Sequence, residues 1–444
     1  MSEYTPTEKM NKIFNEKVQL QRWLDVEVAL AKAQARLRII PQGMADEISR
    51  KAKIELLDME KFEQIQQQVF HPLVSLLSVL RPICKGNAGQ YLHLGVTTQD
   101  IWDTATVLQF KEAYKVIYES LRQIEDDLLS MAEKHADTVM AGRTHCVHAI
   151  PLTFGYKIAV LAREVRRHIE RLKECRKRLL VGHISGAVGT FASFGEKGPQ
   201  IQALVMKDLG LGVPDICWQA SRDRPAEFAN LLSMIAATLA RFANEVCLLM
   251  SSEIFEVSEP WKMGLVGSST MPHKRNPLIA EIIRAQAKKV KYNAALVTEV
   301  MVVEHDRDLN FWLAEGNTLT ESCLIMGEIL THSQNMAKGL IVYPEKMMKN
   351  IDTLKGLMLS EVVMLELGRK VGKQTAFEIV YEDSVKTMEK GVHFKEVLMK
   401  DKRVTQYLTE KDIDRILDPK GYVGLAPQIT REMVNLSREE RKKD

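Results

Sequence analysis

Residues 107–131, VLQFKEAYKVIYESLRQIEDDLLSM, place Val107, Phe110, Tyr114, Ile117, Leu121, Ile124, Leu128 and Met131 at alternating steps of three and four. With about 3.6 residues per turn, that spacing puts every one of them on a single stripe of an α-helix. Gly and Pro, the residues that interrupt helices, are absent from 96 to 141, and again from 156 to 181, 226 to 259 and 278 to 315. Phe228, Leu231, Ile235, Leu239, Phe242, Val246 and Leu249 repeat the stripe, and Ile158, Leu161, Val165, Ile169 and Leu172 approximate it. The fold class is therefore expected to be all-α, with several helices of about 25 residues or more packed side by side. Seams this long and apolar are expected to bury against partner subunits as well. A helical scaffold with no chemistry would show the same periodicity.

Composition narrows the function classes. The chain has 444 residues, 45% of them hydrophobic, and its 61 basic and 58 acidic residues nearly cancel, so no global field argues for nucleic acid. The C-terminal SREERKKD reads as a solvated tail. The six cysteines, Cys84, Cys146, Cys175, Cys217, Cys247 and Cys323, form no CxxC pair, which fits reduced thiols and gives no zinc signature. MSEYTPTEKM lacks an apolar signal region and no run of about 18 apolar residues appears, so a cytoplasmic protein with no membrane partner is expected. No metal or nucleotide-cofactor motif is present, and no cofactor is expected.

Three helical domains in series are expected. Residues 1–92 hold shorter helices, one of them with Leu20, Trp23, Leu24, Val28, Ala31 and Ala35 on a face, ended by the IIPQG turn. Residues 93–343 make the long-helix bundle, and 344–444 return to short helices such as MLSEVVMLELGRKVG. Polar, Gly-containing segments fall at the ends of the long helices: HLGVTTQDIWDTA at 93–105, AGRTHCVHAIPLTFG at 141–155, HISGAVGT at 183–190 and GSSTMPHKRNP at 267–277. Each alone could be a set of helix caps. Together their Thr, Ser, Asn and Lys side chains, with backbone N–H groups at helix starts, are what a carboxylate-binding site requires. A small dicarboxylate substrate follows.

GSSTMPHKRNP resembles the signature loop of the fumarase/aspartase superfamily. GRTHCVHAIPLTFG, HISGAVGT and HLGVTTQDIWDTA are similar to companion segments of its adenylosuccinate lyase and 3-carboxymuconate cycloisomerase branch, and the likeness extends over nearly the whole chain. The resemblance implies an all-helical homotetramer in which helices from four subunits form a central bundle and each active site draws on three chains. It also implies a reaction. A proton leaves the carbon beside a carboxylate, a C–N or C–O bond on the next carbon breaks, and fumarate is usually released.

Such a proton is weakly acidic, so fixed donors must hold the carbanion delocalised into the carboxylate. By position Ser268 matches the family's base, with Ser269 as the neighbouring competitor, and a Gly-flanked loop carrying Lys274 could stabilise its alkoxide. The loop is expected to close over substrate. His145 matches the general acid and Glu281 the carboxylate that fixes its tautomer, while His148 is an alternative acid. Lys274 and Asn276, together with His93, Thr97 and Thr98, are carried over as carboxylate ligands. Arg307 matches an arginine near substrate, although a surface ion pair is its ordinary use. His71 stands where a second active-site histidine is placed, followed here by Pro72 rather than Asp.

Departures bear on the substrate. Adenylosuccinate lyases begin with an Arg-Tyr pair that helps hold the nucleotide phosphate, whereas this chain has Glu3-Tyr4. Where that branch places a serine and, four residues later, an arginine against phosphate, EHDRDLNFWLAEG has Trp312 and Gly316; Arg222 or Arg224 could compensate. CWQASRDRPAEF is closer to the cycloisomerase version of its segment. The expected activity is a lyase releasing fumarate from a succinyl compound or N-substituted aspartate, with a 3-carboxy-cis,cis-muconate cycloisomerase-like reaction as the alternative.

Overall fold

The structure, a computed structural model, describes residues 4–264 and 266–444; Glu3 lies outside them. Among these residues are eighteen α-helices, one β-hairpin and one pair of two-residue strands. The long helices are Thr98–Lys134, Phe154–Leu179, Asp223–Leu249, Leu278–Glu299 and Leu309–Gly339. Every position of the stripe from Val107 to Met131 is buried, as are those of the Phe228 and Ile158 stripes. The expected burial of these seams against partner subunits is thus corrected, because intrachain packing already uses them. Large apolar side chains that do face outward include Val160, Met234, Leu248, Tyr292 and Leu296. The Asp223–Leu249 helix has a window with mean hydropathy 1.4, apolar enough to cross a bilayer, yet half of that window is buried as in a core helix.

The described chain falls into two units. The first comprises 1–122, 168–239 and 283–332, and the second 123–167, 240–282 and 333–444. In the first, the Glu16–Arg36 helix buries Leu20, Trp23, Leu24 and Leu30 in a core shared with Leu73, Leu76, Leu80, Ile101 and Val205. Gly327 sits inside a helix without breaking it, for a packing reason: a Cβ there would meet Met10 Cγ at 2.9 Å and Pro6 O at 3.1 Å. Two helices occupy the Gly- and Pro-free stretch from 278 to 315. Leu278–Glu299 ends before a loop in which His305 is left-handed, and Asp308 then accepts from Glu304 N at 2.8 Å and Phe311 N at 3.1 Å to start the next helix.

In the second unit a small core of Val363, Leu367, Phe394, Leu398 and Ile413 supports the C-terminal helices. The last of these, Ala426–Lys442, corrects the reading of SREERKKD as a solvated tail. Arg438 holds Glu133 at 2.7 and 3.0 Å, Arg441 holds Glu125 at 2.6 Å, and the Asp444 carboxylate reaches Arg166 at 2.6 Å. Charges of both signs three to four residues apart fall on one helical face, so the segment docks rather than dissolves.

Candidate active site

Strands Val139–Thr144 and Val147–Thr153 pair antiparallel, with Thr144 opposite Val147. The sequence reading missed this hairpin. Its two-residue loop is His145-Cys146, with φ of 52° and 64°, the geometry of a type I′ turn that normally calls for Asn-Gly. Left-handed non-glycine residues of this kind store about 1–3 kcal/mol each and cluster at functional sites. The turn holds His145 exposed at the hairpin tip, whereas His148, opposite Arg143 on the next strand, is half-buried with an unpartnered Nδ1. Burial, then Arg143, pushes the His148 imidazolium below its usual range, with Glu256 opposing. Arg143 itself forks onto the fully buried Glu256 at 2.6 and 3.0 Å.

In the same unit the signature loop folds back on itself. A Cβ on Gly267 would stand 2.6 Å from Lys274 O, and Asn276 Nδ2 donates to Gly267 O at 2.8 Å. Ser268 Oγ accepts from the backbone N–H of Met271 at 3.1 Å and of Thr270 at 3.3 Å. Ser269, next to it, is exposed. The start of the following helix is already taken: buried Glu259 accepts from Ala280 N at 2.6 Å and Ile279 N at 3.1 Å. Burial lifts the Glu259 carboxyl above its usual range, the two backbone donors oppose this, and Glu281 adds to it. The expectation that helix-start N–H groups face substrate is therefore corrected here. Among the described residues, the side chains of His145, Lys274 and Glu281 have no hydrogen-bond or ion-pair partner, and His145 and Glu281 are not joined to each other.

The first unit holds five of the other candidates and joins four of them in pairs. His71 caps the Pro72–Leu80 helix by accepting from Val74 N at 3.3 Å through Nδ1, which places the proton on Nε2, 3.4 Å from Thr98 Oγ1. Pro72 at the first helical position suits that cap. Thr97 N donates to Asp100 at 3.1 Å, the Thr97 hydroxyl accepts from Arg307 Nη1 at 2.9 Å, and Arg307 forms no ion pair among the described residues. His93, left-handed at φ 62°, is held by Glu27 through its backbone N–H at 3.0 Å and Nδ1 at 2.6 Å, leaving Nε2 unused. Burial disfavours the His93 imidazolium, but the Glu27 hydrogen bond and charge outweigh it and raise its pKa.

Sequence reasoning missed the buried ion network beside these residues. His183 donates from Nδ1 to Asp100 at 2.9 Å and from Nε2 to Asp103 at 3.1 Å, which makes it an imidazolium. Asp100 also accepts Ser185 N at 3.0 Å and Gly186 N at 2.8 Å, so the backbone donors of HISGAVGT serve the protein itself. Arg222 reaches Asp103 at 2.9 and 3.1 Å and forks onto Glu315, while Arg224 donates to Arg178 O at 2.7 Å. Burial opposes the His183 cation, yet the two carboxylates lift its pKa to about 9. Because the folded value lies above the unfolded one of about 6.5, the network's contribution should be complete below about pH 6.5 and lost as pH rises through about 9. Urea melts are expected to show that decline, and His183→Gln to flatten it. An unchanged profile in the variant would remove His183 as its cause.

Sequence comparison matches the lyase family over residues 2–291 and the adenylosuccinate lyase C-terminus over residues 356–433. The chain belongs to the fumarase/aspartase superfamily. This superfamily member is 42% identical over 428 residues to an N-acetyl-S-(2-succino)cysteine lyase of Dickeya dadantii, covering 96% of this chain and 94% of that one. It is 41% identical over 433 residues to an adenylosuccinate lyase of Methanocaldococcus jannaschii, covering 96% and 93%. A solved 3-carboxy-cis,cis-muconate lactonizing enzyme from Pseudomonas putida superposes with a TM-score of 0.91 at 33% identity, covering 98% of this chain and 97% of that one. The all-helical fold and the lyase family membership thus agree with the reading of GSSTMPHKRNP.

Proposed function

We propose that the protein is a lyase that eliminates a heteroatom from a succinyl adduct, an N-substituted aspartate or a related compound, and releases fumarate. The observation that carries this reading is the environment of Ser268. Two backbone N–H groups point at its Oγ, and donors aimed at an oxygen favour its anionic form. Ser268 removes the proton beside the carboxylate, the electron pair forms the C=C bond, and the C–N or analogous bond breaks. His145, steadied by a Glu281 that another subunit would have to bring to it, gives the departing atom its proton. Lys274, Asn276, Ser269, His93, Thr97, Thr98, His71 and Arg307 bind the carboxylates. The small dicarboxylate substrate needs no cofactor in this scheme.

A continuous absorbance assay for fumarate, run with amine and thiol adducts of succinate beside a 3-carboxymuconate panel, tests the proposal. Fumarate from an adduct supports it. Turnover of the muconate alone would replace it with the cycloisomerase reading, which the CWQASRDRPAEF segment favours.

The unpartnered side chains of His145, Lys274 and Glu281 further support a homotetramer with sites assembled from more than one subunit, bound through outward apolar side chains such as Tyr292 and Leu296. Mixing inactive Ser268→Ala and His145→Ala subunits is expected to restore part of the activity. A monomer by light scattering, or no recovery after demonstrated subunit exchange, would refute shared sites.

A further inference from the structure

A cavity of about 340 Å³ opens in the first unit beside the group just described. Pro72, next to His71, lines it, and so does Trp102, one turn beyond Thr98 on the same helix. Four aromatic residues line it, Trp23, Phe62, Trp102 and Trp312, beside neutral polar ones such as Gln19 and Gln109. Trp102 and Trp312 lie 3.7 Å apart between ring centroids, and Trp23 stacks on Trp102 at 5.0 Å. Among the described residues its ionisable groups are all acidic, namely Glu16, Asp103 and Glu315, and no Lys, Arg or His lines it.

The surrounding network does not cancel that charge. Asp100, Asp103, Glu315 and Glu27 share the His183, Arg222 and His93 cations, so with all of them ionised one negative charge remains, and Glu16 adds another. Arg222 is 3% exposed and sits behind Asp103 and Glu315, where it cannot meet an anion in the cavity. Burial, then the Asp103 charge, holds the Glu315 carboxyl above its usual range against Arg222, whereas Arg222 and His183 overcome burial and hold Asp103 down at about 2. Trp faces attract cations, and carboxylates beside them strengthen the attraction.

We infer that this cavity is the leaving-group subsite and selects a succinyl adduct whose departing arm carries a cation, an ammonium or a guanidinium. The inference rests on the elimination reading above and adds the class of leaving group to it. An anionic arm is repelled, and a neutral arm gains only contact with the rings.

Three thioethers of succinate, made with cysteamine, N-acetylcysteamine and 3-mercaptopropionate, share the reacting atoms and differ in the charge of the arm. The ammonium arm is expected to exceed the carboxylate arm at least tenfold in kcat/KM, with the neutral arm between them. Gly316→Arg should reverse that order, since Gly316 lines the cavity and a Cβ there meets no atom within 4 Å, so the substitution sets a cation at its wall. Calorimetric binding of the same three compounds is measured in parallel. If none yields fumarate, the elimination reading fails while the binding order still judges the subsite. Binding of the carboxylate arm as tight as the ammonium arm, no binding of any of the three, or an order unmoved by Gly316→Arg would overturn the inference.

Discussion

Ser268→Ala is expected to lower kcat by about a thousand-fold or more while succinate-like ligands still bind, because a positioned base contributes about 10² to 10⁴ and here it also starts the reaction. The variant removes the oxygen that Thr270 and Met271 N–H groups hold and leaves Lys274 and Asn276 in place. Gly267, whose close approach to Lys274 shapes the loop, is untouched. Ser269→Ala should keep most of kcat and act through KM, since exposed Ser269 is proposed to bind a carboxylate and not to take the proton. His145→Ala should lose less with a good leaving group, which needs little protonation. Exchange of the substrate proton with deuterated solvent separates the roles: Ser268→Ala should abolish exchange, and His145→Ala should retain it. Normal turnover by Ser268→Ala, with loss in Ser269→Ala, would move the base by one residue.

The parts of this protein legible in its sequence are those specified locally. The stripe from Val107 to Met131 needed only helical periodicity, and all its positions are buried. The GSSTMPHKRNP loop could be read because its residues interact within eleven positions, as the Asn276 to Gly267 bond shows. The hairpin was not legible, since its turn residues are His145 and Cys146 in place of the usual Gly or Asn, and a proline, Pro151, stands in its second strand. Nor did any Gly or Pro announce the break between Glu299 and Leu309. The ion network depends on pairs such as Asp103 with Arg222, 119 positions apart, which no periodicity encodes. Its one local signal was HISGAVGT, whose Gly186 N–H and His183 ring both turn to Asp100. Of the binding candidates, Thr97 with Arg307 and Thr98 with His71 are joined in the fold, although no local pattern predicts either pairing.

Adenylosuccinate is expected to be a poor substrate, although 41% identity to an adenylosuccinate lyase would suggest otherwise. A nucleotide phosphate carries nearly two negative charges, and each charge-assisted contact it loses costs about 1.5 to 3 kcal/mol. At the positions where the resemblance implies a serine and an arginine against phosphate, this chain has Trp312 and Gly316, and both line the acidic cavity. Two missing contacts amount to about 3 to 6 kcal/mol, or roughly a hundred-fold to ten-thousand-fold in binding. Arg222 offers no compensation, because it is buried between Asp103 and Glu315, and Arg224 already gives one N–H to the Arg178 carbonyl. Trp312, packed on Trp102, also narrows the space a purine would need. Replacing Trp312 with Ser together with Gly316 with Arg should raise kcat/KM for adenylosuccinate by at least tenfold, through KM more than kcat, since the change restores ground-state contacts far from the reacting bond. Efficient cleavage by the unmodified chain, above about 10⁴ per molar per second, would show that phosphate is held by groups other than these and that the acidic cavity does not receive the leaving group.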